Sequence, residues 1–428
     1  MSAPWAIPSG GVAAGRITPP PSKSVSHRML NLTLLAGGPL RLGRPLVAED
    51  TGHFFAVLER LGWSVELADD ELRVTPPVRP PDRAELFVGN AGTLFRFLTA
   101  TLTVLPGRFV LDGTPRLRER PVGPLVTALR RLGAEIECPR AEGFAPLVIH
   151  GATLRGGATR LDAGESSQYL SALLMAGTRA AGPLEITLDA LTSAPYVEVT
   201  RHALGKFGAA AAIRQTPQGW RVTPHALEPR RPLSVEADYS AAAYPAAAAA
   251  LTGGTVEIHG LDPHSAQGDR SFLDVLTSLG AELSWQGDVL HCTGRPLRAV
   301  DVDLGATPDQ VPTLAALAPF ARGTTRIRGV AHLRIKESDR LAAMVEGLTR
   351  LGARAAETPD GLVIAGDWAD GPVPTTPTTI DPHGDHRIAM AFALVGLRRP
   401  GVEIADPEVV AKSYPGFWRD FARLLRVS

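Results

Sequence analysis

The sequence predicts an α/β protein of two domains, built from six repeats of about 72 residues, three in each domain. In each repeat a buried helix is expected to lie among short strands and a surface helix. Three observations predict this class: the chain length, a helix end that recurs at regular spacing, and two alternating kinds of helix. At 428 residues the chain is too long for one ordinary hydrophobic core and suits two domains of about 200 residues each.

A helix-like segment ends in an apolar residue and glycine at five places along the chain. The five glycines are Gly62, Gly133, Gly208, Gly280 and Gly352, with spacings of 71, 75, 72 and 72 residues. Glycine just past the last periodic residue stops a helix, and a strand-like alternation follows in four of the five copies. A sixth copy is predicted to end at 421–425 without a strand after it, and we expect residues 5–18 to supply that strand.

Helices of two kinds alternate between these ends. One series is small or apolar on nearly every side, which is typical of buried helices. Its members are predicted to begin near Ser24, Thr93, Ser166, Ser240, Asp309 and Asp385. The other series is amphipathic, as at 124–131 and 341–350, and is expected at the surface.

The repeats divide three and three, which predicts the domain organisation. The first domain is expected at 22–234, and the second at 238–428 together with the N-terminal segment 1–18. The chain would cross between the domains near 19–21 and again near 235–238.

The composition is typical of a folded soluble protein, with 44% hydrophobic and 21% charged residues. The 44 basic and 44 acidic residues balance, so nucleic acid is not expected as a partner. The longest apolar run, 241–251, contains Pro245 and is far shorter than the roughly 20 residues of a membrane span. The N-terminal residues resemble no targeting signal. We therefore expect a cytoplasmic monomer that contacts no membrane.

Cysteine and lysine are both rare in this chain. Cys138 and Cys292 lack the Cys or His neighbours that a zinc site needs, and they are predicted to be reduced core thiols. Where a proton must be moved, an ammonium of tunable pKa cannot be replaced by a guanidinium. The lysines are therefore candidates for function, and they are Lys23, Lys206, Lys336 and Lys412.

Cations gather at the predicted helix starts. Free N–H groups and the positive end of the helix dipole make a helix start an anion site, and here arginine or lysine is added to it. The cations concerned are Lys23, Arg28, Arg120, Lys336, Arg340, Arg387 and Lys412. If the repeats turn these ends toward one cleft, the ligands carry phosphate, carboxylate or both.

Two carboxylates, Asp309 and Glu337, accompany these cations. Carboxylates in such a place suit proton transfer better than simple charge neutralisation. The chain has neither a Gly-x-x-x-x-Gly-Lys-Ser/Thr loop nor Gly-x-Gly-x-x-Gly, so the usual nucleotide sites are not predicted. The residues by themselves therefore predict acid/base chemistry on a substrate with several negative charges.

Motifs in order from Lys23 to Pro415 resemble the 5-enolpyruvylshikimate-3-phosphate synthase family of enolpyruvyl transferases. They are Pro-Ser-Lys-Ser-Val-Ser-x-Arg, Asn-Ala-Gly-Thr, Glu-Arg-Pro, Ser-Ser-Gln, Lys-Glu-Ser-Asp-Arg, Asp-His-Arg and Ala-Lys-Ser-Tyr-Pro. The family's fold is a two-domain inside-out α/β barrel with three repeats in each domain. The resemblance implies transfer of the enolpyruvyl group of phosphoenolpyruvate (PEP) to the 5-hydroxyl of shikimate 3-phosphate. Phosphate is released through a tetrahedral intermediate, in the biosynthesis of chorismate and the aromatic amino acids.

The resemblance also implies roles for individual residues. Asp309 matches the family's base, and Glu337 and Lys23 match its acid/base partners. Shikimate 3-phosphate would be held by Lys23, Ser24, Arg28, Ser166, Ser167, Gln168, Ser193, Tyr196, Asp309 and Lys336. PEP would be held by Lys23, Gly92, Arg120, Gln168, Arg340, Arg387 and Lys412. No metal or organic cofactor is implied, because fixed cations stabilise the developing charge, and the two domains are expected to close on the substrates.

Some positions depart from the family pattern. His27 and His332 stand where asparagine is common, which bears on hydrogen bonding to the acceptor. Leu94 and Phe97 alter the helix behind Gly92, which bears on sensitivity to the PEP-mimicking herbicide glyphosate.

Three other functions compete with this prediction. The sister transferase acting on UDP-N-acetylglucosamine has a reactive cysteine that residues 113–121 lack. A Ser-Lys hydrolase with Ser22 or Ser24 as nucleophile would leave the arginines without a purpose. A non-catalytic phosphate-binding module would not need Asp309 and Glu337.

Overall fold

The protein is described by a computed structural model over residues 3–229 and 232–426. The chain forms two compact units. The continuous unit is Pro21–Glu236, and the split unit consists of Met1–Pro20 and Ala237–Ser428. Each unit has its own hydrophobic core. The α/β class predicted from the sequence is confirmed.

The helices alternate between buried and half-exposed along the chain. They are α1 (Lys23–Ala36), α2 (Glu49–Arg60), α3 (Gly92–Thr101), α4 (Gly123–Arg131), α5 (Gln168–Ala176), α6 (Pro195–Lys206), α7 (Tyr239–Thr252), α8 (Phe272–Leu279), α9 (Val311–Leu317), α10 (Arg340–Arg350), α11 (His386–Arg398) and α12 (Phe417–Leu424). The odd-numbered helices are buried on nearly every side, as their apolar composition predicts. The even-numbered helices bury one face only.

The strands are short. They are β1 (Trp5–Ala6), β2 (Val12–Ala13), β3 (Gly15–Ile17), β4 (Leu40–Gly43), β5 (Ser64–Ala68), β6 (Glu71–Thr75), β7 (Arg83–Phe87), β8 (Gly107–Asp112), β9 (Glu135–Glu137), β10 (Leu147–Gly151), β11 (Gly157–Ala163), β12 (Leu184–Leu191), β13 (Ile213–Thr216), β14 (Gly219–Val222), β15 (Leu233–Ser234), β16 (Thr255–Ile258), β17 (Glu282–Gln286), β18 (Val289–Thr293), β19 (Asp301–Asp303), β20 (Thr324–Arg328), β21 (Ala355–Thr358), β22 (Gly361–Ala365), β23 (Thr378–Ile380), β24 (Val402–Ile404) and β25 (Leu425–Arg426).

The four-stranded sheets share one pattern, in which a parallel pair of strands is followed by two antiparallel pairings. Their orders are β15-β4-β6-β5, β7-β8-β10-β9 and β11-β12-β14-β13 in the continuous unit, and β3-β16-β18-β17 and β19-β20-β22-β21 in the split unit. The sheet β23-β24-β1 has three strands, and β2 pairs with β25. Several sheets pack against a buried helix of the same unit, such as β11 against α5, β16 against α7 and β24 against α11.

The glycines predicted to stop the helices do so. Gly62, Gly133, Gly208, Gly280 and Gly352 have φ between 78° and 117°. This left-handed conformation strains any residue with a Cβ, and it ends a helix without a bulky side chain. The prediction of helix ends from the sequence is confirmed at all five positions.

The N-terminal segment pairs with three sheets of the split unit. Trp5–Ala6 runs antiparallel to Val402–Ile404, and Gly15–Ile17 runs parallel to Thr255–Ile258. The prediction that no strand follows the last helix is wrong, because Leu425–Arg426 pairs with Val12–Ala13. A two-residue strand is too short to show an alternating pattern in the sequence.

The two cysteines differ in burial. Both are free thiols, and Cys292 lies in the core as predicted. The prediction for Cys138 is wrong, because this residue is only half-buried. It directly follows the edge strand β9 of its sheet, where one side remains open. Among the described residues no helix is long and apolar enough to cross a membrane.

Candidate active site

Arg28 is buried within the continuous unit. It lies one turn into α1, where its Nε donates to Thr200 Oγ1 at 2.8 Å. Its Nη1 and Nη2 donate to the backbone oxygens of Ser24 and Tyr196, both at 2.9 Å. Burial lowers the pKa of Arg28 to about 10. All these acceptors are neutral, so the positive charge of Arg28 is not cancelled by a carboxylate.

Arg96 and Gln168 join the starts of α3 and α5. Arg96 Nη1 donates to Gln168 Oε1 at 2.8 Å, and the guanidinium stacks 5.2 Å from the ring centre of Tyr169. Gln168 Nε2 donates in turn to Thr93 Oγ1 at 2.9 Å. Sequence reasoning did not propose Arg96 for the site, although the residue lies three positions after the Asn-Ala-Gly-Thr motif.

Gly92 and Arg120 lie in contact. Arg120 Nη1 donates to the backbone oxygen of Asn90 at 3.0 Å and to its Oδ1 at 3.2 Å. A Cβ on Gly92 would lie 2.5 Å from Arg120 Nη2. The absence of a side chain at Gly92 therefore lets the guanidinium approach the start of α3.

Lys23 pairs with Asp50, a residue that sequence reasoning missed. Lys23 Nζ lies 3.1 Å from Asp50 Oδ2. Asp50 lies in the first turn of α2. A search of helix starts that included residues 48–50 would have found it. His27 lies one turn after Lys23, and burial lowers the pKa of His27 to about 4 despite the nearby Asp50. The imidazole is therefore neutral at pH 7.

The serines predicted to hold the acceptor also lie in the continuous unit. Ser166 Oγ accepts from Arg96 Nη1 at 3.4 Å and from the backbone N–H of Gln168 at 3.3 Å. Ser167 is buried directly before α5. Ser193 has φ of 52°, a strained conformation for a residue with a side chain, two residues before α6.

Arg340 binds three carboxylates in the split unit. This buried arginine begins α10. Its Nε lies 2.7 Å from Asp385 Oδ2, its Nη1 lies 2.8 Å from Asp309 Oδ1, and its Nη2 lies 2.9 Å from Glu337 Oε2. We call Asp309, Glu337, Arg340, Asp385 and Arg387 the split-unit cluster. Its members come from the starts of three helices, as the sequence predicts.

Asp309 is held by a second arginine. Arg387 Nη2 lies 2.7 Å from Asp309 Oδ2. Burial opposes ionisation of Asp309, but Arg387, Arg340 and Lys336 outweigh it and hold the pKa of Asp309 well below its usual range. A quarter of the Asp309 side chain, 25%, is nevertheless exposed. The predicted base is therefore ionised and can be reached from outside the cluster.

Asp385 fixes the geometry of this cluster. It is fully buried, its Oδ1 accepts from the backbone N–H of Arg387 at 2.9 Å, and its Oδ2 accepts from Ser338 Oγ at 3.2 Å. It thus caps α11 and orients Arg340 at the same time. The sequence motif Asp-His-Arg places Asp385 at a helix start, and only the fold shows that it also binds Arg340.

Other predicted residues surround the cluster. Lys336 precedes α10, and Lys412 is buried at the end of the short turn Pro407–Lys412, which packs against α11. Burial, reinforced by Lys336, lowers the pKa of His332 to about 4. Gln310 Nε2 donates to the buried Asp269 at 2.9 Å. Asp269, like Asp50, was not predicted.

The predicted site residues thus fall into two groups. Lys23, Ser24, Arg28, Gly92, Arg120, Ser166, Ser167, Gln168, Ser193 and Tyr196 lie in the continuous unit. Asp309, Lys336, Glu337, Arg340, Arg387 and Lys412 lie in the split unit.

Fold and site define the class of protein: an α/β protein whose buried helix starts bring together cations and carboxylates, an arrangement suited to anionic substrates. Residues 9–421 match the sequence model of EPSP synthase (3-phosphoshikimate 1-carboxyvinyltransferase). The chain belongs to this family, which confirms the resemblance carried by the motifs.

Curated relatives and solved structures agree with this family. The 3-phosphoshikimate 1-carboxyvinyltransferase of Syntrophobacter fumaroxidans is 45% identical over 97% of this chain and 98% of the relative. That of Nitrosomonas europaea is 42% identical over 96% of both chains. The EPSP synthase of Acinetobacter baumannii matches with a TM-score of 0.79 and 28% identity, over 99% of this chain and 98% of that one.

Proposed function

We propose that the protein transfers the enolpyruvyl group of PEP to the 5-hydroxyl of shikimate 3-phosphate and releases phosphate. The observation that carries this proposal is the split-unit cluster in a chain of this family. There, a reachable carboxylate, Asp309, lies between two buried arginines, Arg340 and Arg387. A base beside fixed cations suits addition of a hydroxyl to an anionic enol ether.

The reaction is an addition followed by an elimination. In the addition, the acceptor oxygen bonds to C2 of PEP, the 5-hydroxyl loses its proton, and the C3 methylene gains one. In the elimination, C3 returns a proton and the C2–O bond to phosphate breaks. Asp309 takes the hydroxyl proton, and Glu337 and Lys23 serve as the acid/base partners at C3.

The binding roles complete the proposal. Arg28 supports a role in holding shikimate 3-phosphate, because its neutral partners leave its charge available to an anion. The contact of Arg120 with Gly92 supports a PEP site at the start of α3. The remaining binding residues are proposed from the family resemblance alone.

Phosphate release tests the function directly. Purified protein is given PEP with no acceptor, with shikimate 3-phosphate, or with UDP-N-acetylglucosamine. Release only with shikimate 3-phosphate, lost in Lys23→Met and kept in the half-buried control Lys206→Met outside the predicted site, would establish the activity. No release with any acceptor would leave the fold standing and exclude the function.

The competing functions have less support. The cysteines, Cys138 and Cys292, lie outside residues 113–121, where the sister transferase has its reactive cysteine. Ser22 is fully buried and its hydroxyl has no hydrogen-bond partner among the described residues, so no base activates it as a hydrolase nucleophile. A phosphate-binding module has no use for the carboxylates around Arg340.

Location and assembly stay predictions. We propose a monomer that works in the cytoplasm without a metal or organic cofactor. Sedimentation at micromolar concentration tests the monomer, and full activity after dialysis against a chelator tests independence from metal ions.

A further inference from the structure

The predicted base and the cations predicted to hold PEP are bound to each other. Arg340 Nη1 lies 2.8 Å from Asp309 Oδ1, and Arg387 Nη2 lies 2.7 Å from Asp309 Oδ2. Each oxygen of the Asp309 carboxylate thus accepts a charge-assisted bond from a different arginine. A substrate carboxylate that binds the same two guanidinium groups must therefore compete with the carboxylate of Asp309.

The partners in this arrangement are not equally free to change. Arg340 is buried and is also held by Asp385 and Glu337, at 2.7 Å and 2.9 Å. Asp385 is itself fixed by capping α11. Asp309 keeps 25% of its side chain exposed. An incoming anion therefore displaces the Asp309 carboxylate from the arginines more easily than it displaces the arginines themselves.

A carboxylate held in this way is a poor base. Arg387 and Arg340 stabilise its ionised form, and a base must instead gain a proton in the reaction. Loss of one or both bonds would make the Asp309 carboxylate more basic. The basicity of Asp309 thus depends on whether Arg340 and Arg387 are bonded to Asp309 or to another anion.

We propose that Asp309 competes with the PEP carboxylate for Arg340 and Arg387, so that binding of PEP releases Asp309 to act as the base. This inference rests on the proposed function. The acceptor hydroxyl would then be deprotonated only when PEP is in place. Coupling of this kind is reciprocal, so removal of the Asp309 charge must strengthen binding of the substrate carboxylate.

The test compares two unreactive probes in the presence of saturating shikimate 3-phosphate. 3-Phosphonopropionate carries a phosphonate and a carboxylate at the spacing found in PEP, and ethylphosphonate lacks the carboxylate. Their dissociation constants are measured by titration calorimetry for the unmodified protein and for Asp309→Asn. The substitution should tighten 3-phosphonopropionate about tenfold to a hundredfold, the range of a charged hydrogen bond, and ethylphosphonate less than about threefold.

A matched variant separates competition from a general charge effect. Glu337→Gln also removes one negative charge, but Glu337 bonds Nη2 of Arg340 and not the Nη1 that holds Asp309. It should tighten 3-phosphonopropionate less than Asp309→Asn does, because Asp309 bonds both Arg340 and Arg387, and it should change the dissociation constant of ethylphosphonate less than about threefold. Asp309→Ala carries the same expectation as Asp309→Asn and replaces it if the asparagine variant does not fold.

Two results would overturn the proposal. One is an unchanged or weaker affinity of Asp309→Asn for 3-phosphonopropionate, and the other is equal tightening of both probes. Either result in a protein that releases phosphate with shikimate 3-phosphate rejects the competition alone. A protein that releases no phosphate at all rejects the proposed function instead.

Discussion

The two units hold the buried arginines of the candidate site in opposite ways. In the continuous unit, Arg28 and Arg96 donate to hydroxyl, amide and backbone oxygens, all of them neutral. In the split unit, Arg340 and Arg387 donate to the carboxylates of Asp309, Glu337 and Asp385. Buried charge without a countercharge favours an anionic ligand, whereas paired charge is already compensated. The neutral partners of Arg28 and Arg96 thus suit binding of an anion, whereas the carboxylates around Arg340 suit the proton transfer that we propose.

The largest effect should come from removing a shared cation. Arg340→Met leaves Asp309, Glu337 and Asp385 without their common partner and should lower the free energy of unfolding by about 3–5 kcal/mol. Arg28→Met leaves only neutral acceptors and should cost about 1–3 kcal/mol. Urea unfolding at pH 7 measures both. An equal decrease in the free energy of unfolding of the two variants would contradict the difference between the two units.

The next effect concerns acid stability in the continuous unit. Burial lowers the pKa of His27 from 6.5 to about 4, with Asp50 opposing the shift. As the pH falls from 6.5 toward 4, the unfolded chain binds a proton that the folded protein excludes, so stability is lost. His27→Asn should remove this loss, which amounts to at most about 3 kcal/mol.

Unfolding of His27→Asn is followed by urea titration between pH 7 and pH 4.5. The exposed histidine variant His225→Asn is the control and should keep the acid sensitivity of the unmodified protein. Identical pH profiles for His27→Asn and the unmodified protein would show that His27 is not held neutral.

The split unit should show the opposite sign at Asp269. Burial, followed by the charge of Asp309, raises the pKa of Asp269 from 3.8 to about 6. Arg387 and the bond from Gln310 oppose this shift, and Asp238 adds to it. The folded protein therefore holds a proton that the unfolded chain releases, and stability is lost as the pH rises from 4 to 6.

Asp269→Asn should flatten this loss and raise the free energy of unfolding at pH 7 by about 2 kcal/mol relative to pH 4. The exposed variant Asp288→Asn is the control and should leave the profile unchanged. A steeper loss in Asp269→Asn would mean that its ionised form is stabilising.

The smallest effect should fall on the contact between Gly92 and Arg120. In Gly92→Ala the new Cβ lies 2.5 Å from Arg120 Nη2, so the guanidinium must move. The KM for PEP should rise about tenfold, since a small displacement of a binding group weakens orientation, while the melting temperature stays within about 2 °C. Gly52→Ala, where the new Cβ meets open space, is the matched control. An unchanged KM in Gly92→Ala would remove Arg120 from the PEP site.

Much of the candidate site was predictable because its residues lie at helix starts. Lys23, Arg340 and Arg387 were found from cations placed directly before or within the first turn of a helix. Asp50 and Asp269 were missed because a carboxylate near a helix start is usually a cap or a solvated charge. The Leu425–Arg426 strand was missed because two residues carry no periodicity. The half-exposure of Cys138 was missed because edge strands cannot be recognised without the sheet order.

The sequence by itself determined where helices begin and end, which helices are buried, and which side chains stand at their starts. These features depend on neighbouring residues, since caps, glycine stops and apolar periodicity are local. The tertiary structure decided which charges meet. Arg340 binds Asp309, Glu337 and Asp385 because packing brings together helix starts that are up to 76 positions apart in the chain. It also decided that Asp309 accepts bonds from two arginines and that His27 stays neutral, because burial and distance, not residue type, set the pKa of a buried group.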